Sequence, residues 1–282
     1  MSTTEVKRPV LRYHGGKFLL AKWIISHFPP HRIYTEAFGG GGSVLMQKAR
    51  SYAEVYNDKW DTVVNVFQVL RYTESAQKLE QLLRLTPFSR TEFNRTGDLE
   101  LRKITDPIEK ARLTILRSFA GFGSASTNAK HSTGFRANAH RSGTTPAQDW
   151  ANWPDNISTF TERLKGVCIE NRDYSDVIRQ HDGPDTLHYL DPPYPHSTRN
   201  MQRGNASYAH EIDDTVHRAL AEQLAGIKGM AIVSGYRCDL YDELFAGWQR
   251  SEKKTFADGA SPRVECLWIN EAAANKRQQS IF

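Results

Sequence analysis

The chain has 282 residues, of which 39% are hydrophobic and 24% charged, with a formal net charge of +5. That balance belongs to a globular protein with a real core, and it sets aside disordered, collagen-like and membrane-spanning classes, since no apolar run approaches ~18 residues. The positive charge hints at a polyanionic partner, and three widely spaced cysteines, Cys168, Cys238 and Cys266, argue against a disulfide framework or zinc site and for a reducing compartment. The stretch 1–9 is polar and lacks the apolar core of a secretion signal, which points to a cytoplasmic protein.

Taken in order, Arg12-Tyr13-His14-Gly15-Gly16-Lys17 leads into a helical pattern with Leu19, Leu20, Trp23, Ile24 and Phe28 on one side, closed by Pro29 and Pro30. Two glycines and a lysine at a helix start make an anion seat, from free N–H groups, the positive dipole end and the ammonium; a Gly turn with a solvated lysine is the plain alternative. Residues 33–38 read as a strand, followed by glycine at positions 39–42 and Ser43 opening a helix. Glycine there lets a ligand approach the backbone where a Cβ would block it. The frame is not Gly-x-Gly-x-x-Gly and no Lys-Ser/Thr follows, which disfavours dinucleotide and nucleoside triphosphate sites. A second strand, 53–56, ends at Asn57-Asp58, where an acid is placed to accept from ribose hydroxyls or to cap the helix expected at 60–70.

From position 71 the pattern changes to helical stretches at 75–85 and 106–119 with mixed charge and no glycine-rich turn. Between 110 and 148 there are six Lys or Arg, two His and no Asp or Glu, with Phe119, Phe122 and Phe135 interleaved. A basic, acid-free loop with spaced aromatics suits a nucleic-acid backbone and its bases, and a loop this long is uncommon without a function. A plain solvated loop is the alternative. After Trp150, Trp153 and Pro154 the α/β alternation resumes. A helix at 157–164 and a strand at 166–170 lead through Asn171-Arg172-Asp173-Tyr174 to a strand at 187–190. A helix at 212–224, a strand at 230–234, a short helix at 239–245 and a hairpin of 249–256 with 263–270 follow. One sheet therefore receives an insertion, dividing the chain into 1–70, an inserted 71–155 and 156–282.

The strand 187–190 must stop at Asp191, because Pro192 and Pro193 remove two ladder donors. The loop beyond it sits at the carboxyl end of a strand, where open α/β sheets keep their ligand sites. A carboxylate (Asp191), prolyl carbonyls and an aromatic ring (Tyr194) suit an exocyclic amine on a flat ring, a poor nucleophile because its lone pair is delocalised. Two acceptors can hold both amine hydrogens and draw the nitrogen towards tetrahedral geometry, at about 1.5–3 kcal/mol per charge-assisted bond. Tyr194 can stack on the ring for roughly 1–3 kcal/mol. A proline-rich turn with a capping aspartate is the plain alternative.

Tyr13-His14-Gly15-Gly16-Lys17, Glu36-Ala37-Phe38-Gly39-Gly40-Gly41-Gly42-Ser43, Asp58 and Asp191-Pro192-Pro193-Tyr194, in this order and with a basic insertion before the last, resemble the Dam-like DNA adenine-N6 methyltransferases over most of the chain. The resemblance implies an α/β fold, a Rossmann-like methyltransferase sheet with 71–155 as an inserted, mainly helical target-recognition domain carrying a hairpin. It implies S-adenosylmethionine as methyl donor, held by Tyr13, Gly15, Gly16, Lys17, Glu36, Phe38, Gly39, Gly41, Asp58, Asp173 and Asp191. Asp191, Pro192, Pro193 and Tyr194 would be catalytic, acting without a metal on an adenine flipped out of double-stranded DNA. Tyr13 stands where many relatives have tryptophan, which keeps an aromatic wall. The setting implied is the cytoplasm of a bacterial or phage-infected cell, with no membrane and a monomer favoured.

Gly121-Phe122 resembles the Gly-aromatic pair of the family's DNA-probing hairpin. Readers of GATC carry an arginine five residues after that aromatic; here the position is Thr127, which cannot make the two-pronged contact to guanine worth roughly 1–3 kcal/mol of discrimination. A target other than GATC, or a relaxed one, is therefore expected, with Phe122, Thr127, Lys130, Arg136 and Arg141 as DNA contacts. Two other readings share these residues: methylation of adenine in RNA or of another planar amide nitrogen, and a non-catalytic DNA-binding relative of the fold.

Overall fold

A computed structural model describes residues 5–97, 101, 103–121, 134–137, 143–198, 210, 212–256 and 262–279. Its strands are β1 (Ile33–Glu36), β2 (Ala53–Asn57), β3 (Val167–Glu170), β4 (Thr186–Leu190), β5 (Met230–Tyr236), β6 (Gln249–Phe256) and β7 (Pro262–Ile269). They form one seven-stranded sheet in the order β3-β2-β1-β4-β5-β7-β6. β1 to β5 run parallel, while β7 lies antiparallel between β5 and β6. This is the expected α/β, Rossmann-like methyltransferase sheet. The chain travels outward from β1 through β2 to β3, then restarts on the other side at β4, so strand order reverses between β1 and β4. The crevice at the carboxyl ends of those two strands is where such a sheet binds ligands.

All five residues of β4 are buried, as expected for a central parallel strand covered on both faces. Helices α1 (Ala21–Ile25), α2 (Ser43–Gln47) and α3 (Asp61–Arg71) belong to the first stretch. The middle stretch supplies α4 (Thr73–Leu85), α5 (Arg90–Asn94), α6 (Pro107–Ala120) and α7 (Pro146–Ala151). The last supplies α8 (Ile157–Leu164), α9 (Tyr174–His181), α10 (Asp214–Ala225), α11 (Asp239–Leu244) and α12 (Glu271–Gln279). Local chemistry sets the starts of the middle helices. Asp106 accepts from the Ile108 N–H ahead of Pro107 to open α6, and Thr145 with Gln148 forms a reciprocal capping box on α7.

The middle stretch does not stand apart from the sheet. One apolar cluster runs from Val63, Phe67 and Leu70 of α3 through Leu79 and Leu83 of α4 and Leu113 and Leu116 of α6 to Trp153 and Phe160. The basic charge of the acid-free window is also partly spent inside this body. Arg112 pairs with Glu109 and Glu92, the buried Arg117 donates to the Thr96 carbonyl, and Lys110 pairs with Asp61. These acids lie outside the window, so a window count of charge overstated what is offered to a polyanion. No helix among the described residues is long and apolar enough to cross a membrane.

Three expectations about elements are corrected. The chain at Gly15, Gly16 and Lys17 is a turn, with the Gly16 N–H donating to the Tyr13 carbonyl. The helix begins only at Ala21 and lasts five residues, so no helix dipole stands behind Lys17. Helix α9, between β3 and β4, was not anticipated, because only Val177 and Ile178 of its eight residues are buried and so short an apolar stripe is easily passed over between two strands. Helix α12 follows β7 where the strand was expected to close the chain; it buries Ala273 alone, and its alanines act through intrinsic helix propensity.

Beneath the site lies a buried ionic cluster. Glu54 of β2 takes Lys48 Nζ at 2.6 Å and the Arg163 guanidinium at 2.6 and 3.0 Å, and Arg163 also donates to the Leu45 carbonyl at 2.6 Å. It ties α8 and the end of α2 to β2. Burial works to raise the Glu54 pKa, but the Arg163 bond and the charges of Arg163 and Lys48 hold it below its ordinary value.

Candidate active site

A cavity of about 400 Å³ opens at the carboxyl ends of β1, β2 and β4, within the ~300–1,000 Å³ usual for small-molecule sites. Every residue expected to hold the cofactor lines it: Tyr13, Gly15, Gly16, Lys17, Glu36, Phe38, Gly39, Gly41, Asp58, Asp173 and Asp191. They come from the N-terminal turn, the β1–α2 loop, the end of β2, the β3–α9 loop and the end of β4, and the sheet alone makes them neighbours. Of the expected catalytic set, Asp191 and Pro193 line the cavity, while Pro192 and Tyr194 are not among its lining.

The glycine loop is folded around the chain's own aromatic rings. Gly39 donates to the Asn57 carbonyl and accepts from Gly42, each at 2.7 Å. The Tyr56 hydroxyl donates to the Gly40 carbonyl at 2.7 Å, and Gly40 N–H donates to Asp58 Oδ2 at 2.8 Å. A Cβ on Gly39 would stand 2.3 Å from the Tyr56 ring and 2.9 Å from the Asn57 carbonyl. At Gly40, with φ +47°, it would stand 2.8 Å from the Tyr13 ring. The loop therefore needs glycine first to close on Tyr56 and Tyr13, a reason internal to the protein that the sequence pattern did not separate from room for a ligand. Gly39→Ala is expected to lower stability by about 1–3 kcal/mol, the usual cost of overpacking. A urea midpoint unchanged from the parent would overturn that assignment.

The other Asp58 oxygen accepts from the Trp60 N–H at 2.8 Å, just ahead of α3. Burial raises its pKa, against the N–H bonds from Trp60 and Gly40. Asn57, fully buried, clamps three strand ends, its amide donating to the Ala37 and Arg172 carbonyls and its oxygen accepting from the Arg172 N–H. Asp173 caps α9 by accepting from the Ser175 N–H and stands 3.5 Å from Lys59 Nζ. Phe38 stacks on Tyr174 at 5.0 Å, and Tyr13 lies against Trp60 at 6.4 Å, so the cavity has an aromatic pair on each flank. Burial pushes the Glu36 carboxyl up to about 8, against the Leu45 N–H it accepts and with the Asp191 charge adding to the shift.

Lys17 sits among acceptors rather than waiting for an anion. Its Nζ donates to the Gly15 carbonyl at 2.6 Å, lies 3.0 Å from Asp191 Oδ1 and 4.0 Å from Glu265 Oε1, and stands 4.8 Å over the Tyr194 ring. Asp191 Oδ1 also accepts from the Ser234 hydroxyl at 2.8 Å, and that hydroxyl meets Tyr189 at 3.0 Å. Among the described residues this leaves Asp191 Oδ2 without a partner. Tyr194 is 5% exposed, with its hydroxyl donating to Glu265 and its ring edge-on to Tyr236 at 4.7 Å.

The sheet, the cavity and the carboxylate at the end of β4 are thus in place for a group-transfer enzyme. The profile of the D12 class N6 adenine-specific DNA methyltransferases matches residues 13–257. The chain belongs to this family. Comparison with curated proteins gives no match. As a member, the chain is an adenine-specific DNA methyltransferase, acting on DNA at adenine N6, and the Asp191-Pro192-Pro193-Tyr194 loop lies within the matched span.

Sequence reasoning missed Glu265 and Ser234, which approach Tyr194 and Asp191 only because β7 and β5 pair with the sheet; Tyr194 and Glu265 are 71 positions apart. Of the expected DNA contacts, Phe122, Thr127, Lys130 and Arg141 lie outside the described residues. Arg136 is described: its N–H donates to the Ala120 carbonyl at 2.7 Å, beside an antiparallel bridge between Gly121 and Phe135.

Proposed function

We propose that this methyltransferase takes its methyl group from S-adenosylmethionine and delivers it directly to the exocyclic amine of an adenine flipped out of the duplex. The observation that carries the reading is the Asp191 carboxylate: Asp191 lines the cavity, Lys17 and Ser234 hold its Oδ1, and Oδ2 has no partner among the described residues. Bound there, the cofactor would supply an electrophilic methyl group on a sulfonium and leave as the neutral thioether once the sulfur–methyl bond breaks, the methylated amine losing one proton to solvent.

The chain's residues fit that group. Asp58, Asp173 and Asp191 line the cavity with Glu36, whose carboxyl is pushed up to about 8, a set of acidic side chains able to accept from the donors of a polar ligand. Asp58 stands at the end of β2, where an acid receives ribose hydroxyls. The pairs Phe38–Tyr174 and Tyr13–Trp60 offer flat apolar walls to an adenine ring. Asp191 Oδ2 and a carbonyl of the Pro192–Pro193 segment accept the two amine hydrogens and localise the nitrogen lone pair. Tyr194 stands next to them in the loop. Holding nitrogen and methyl group in line supplies much of the rate through proximity and orientation.

The segment 71–155 is the target-recognition element of this reading, and within it Gly121 and Phe135 form an antiparallel bridge. DNA contact in this reading is assigned to Lys130, Arg136 and Arg141, with Phe122 and Thr127 towards the bases. Threonine at 127 favours a target other than strict GATC.

The test is expression in cells that lack adenine methylation, followed by modification-aware sequencing of a plasmid carrying all tetranucleotides. N6-methyladenine in one defined context other than GATC alone is the expected result. An unmodified plasmid, with the protein folded and abundant, would sink the reading.

A further inference from the structure

We propose that Glu265 is a positioning residue for methyl transfer, holding Lys17 back from Asp191 and the Tyr194 hydroxyl in place so that the Asp191 carboxylate stays a strong acceptor for the target amine. The proposal rests on the function argued above and concerns a residue outside the Asp-Pro-Pro-Tyr loop and outside the matched span 13–257.

The geometry points to it from two sides. β5 and β7 pair with Tyr236 opposite Glu265, which brings the Glu265 side chain to the carboxyl end of the parallel strands beside the site. Glu265 is 2% exposed, and a carboxylate so deeply buried is costly unless partnered. Its partners belong to the site: the Tyr194 hydroxyl donates to Oε1, and Lys17 Nζ lies 4.0 Å from the same oxygen and 3.0 Å from Asp191 Oδ1. One ammonium is therefore shared by two carboxylates, of which one faces the reacting amine. If Glu265 lost its charge, Lys17 would be drawn to Asp191 alone and would neutralise more of the charge that makes Asp191 a good acceptor. The same loss would weaken the acceptor that fixes Tyr194.

Among the described residues, the charged and titratable groups around Glu265 are Lys17 from the N-terminal turn, Tyr189 from β4, Asp191 and Tyr194 from the β4 loop, Tyr236 from β5 with Arg263 5.9 Å over its ring, Cys266 next to it on β7, and Lys253 opposite it on β6. Burial pushes the Glu265 carboxyl up to about 7, against the Lys17 charge and with Asp191 adding to the rise. The charged form that serves the site thus prevails above that pH and is lost below it.

The experiment uses the full chain and compares the parent with Glu265→Gln and Glu265→Asp, measuring kcat, the KM for S-adenosylmethionine and the pH profile of kcat/KM, which reports groups of the free enzyme. The parent is expected to lose activity as pH falls through about 7. Glu265→Gln keeps an oxygen for the Tyr194 hydroxyl but no charge. It should lower kcat by about tenfold to a hundredfold, the worth of one charge-assisted bond, with KM for the cofactor within about threefold, a margin below one such bond, and without that acid limb. Glu265→Asp should recover the limb and part of kcat, which a packing role would not do.

An unchanged kcat in Glu265→Gln, a retained limb, or a loss of cofactor affinity as large as the loss of kcat overturns the proposal. A parent that methylates no DNA overturns the function on which it rests. The contact has its own readout: by carbon-13 NMR titration the Glu265 midpoint should rise in Lys17→Met, and a midpoint that does not move overturns the coupling even then.

Discussion

Asp191→Ala is expected to abolish methyl transfer while the chain stays folded. The side chain lies just past the end of β4, and among the described residues its polar partners are Lys17 and Ser234, so its removal should leave the sheet intact. Lys17 keeps the Gly15 carbonyl and Glu265. What is lost, on the proposed function, is the acceptor for the amine. Removing one preorganised electrostatic partner of a transition state costs on the order of 10²–10³-fold in kcat, and the loss here should be at least that large, because the same carboxylate also orients the nucleophile. Asp191→Asn retains one acceptor oxygen and should keep a trace of activity. Single-turnover transfer with tritiated cofactor measures both variants, and a rate for Asp191→Ala within about tenfold of the parent, far short of that loss, would remove the residue from its role.

The second large effect lies below the site. Glu54→Ala should destabilise the fold by about 3–5 kcal/mol, the usual cost of stripping one partner from a buried ion pair. Lys48 and Arg163 would be left with one carboxylate fewer in a region where the three side chains are at most 9% exposed. Against a typical total of about 5–15 kcal/mol, that is a large share. The pH dependence has a definite sign. The Glu54 pKa is held below its ordinary 4.5, so its contribution is fully present above that pH and is lost as pH falls through the lower folded value. Urea unfolding at neutral pH should show a lower midpoint with an unchanged slope. A loss below about 1 kcal/mol, the scale of an exposed pair, would mean that the cluster is hydrated and weak.

Much of the site was legible because its residues sit at strand ends, and strand ends are written in local chemistry. Two prolines after Leu190 can only end a strand, and a run of glycines after β1 can only be a tight loop. An acid at the end of β2 has few roles available. Lys17 was legible as a site residue, but the reason offered for it was wrong: an anion seat needs a helix start, and the chain there is a turn. The Asp191 and Glu265 carboxylates that engage Lys17 lie far along the chain, so no local pattern announced them. Likewise, the basic residues of α6 looked available to DNA until the fold placed Glu92 and Asp61 beside them.

By itself, then, the sequence determined the alternation of strands and helices, the places where strands must stop, and the chemical types gathered at those stops. These follow from backbone donors, side-chain volume and propensity, each of which acts within a few residues. Only the tertiary structure decided that β7 inserts between β5 and β6 and so brings Glu265 to Tyr194, that one ammonium is shared by two carboxylates, and which oxygen of Asp191 the ammonium and Ser234 engage. Those outcomes depend on pairings tens of residues apart, in which burial strengthens each charge and its partner settles what that charge can do.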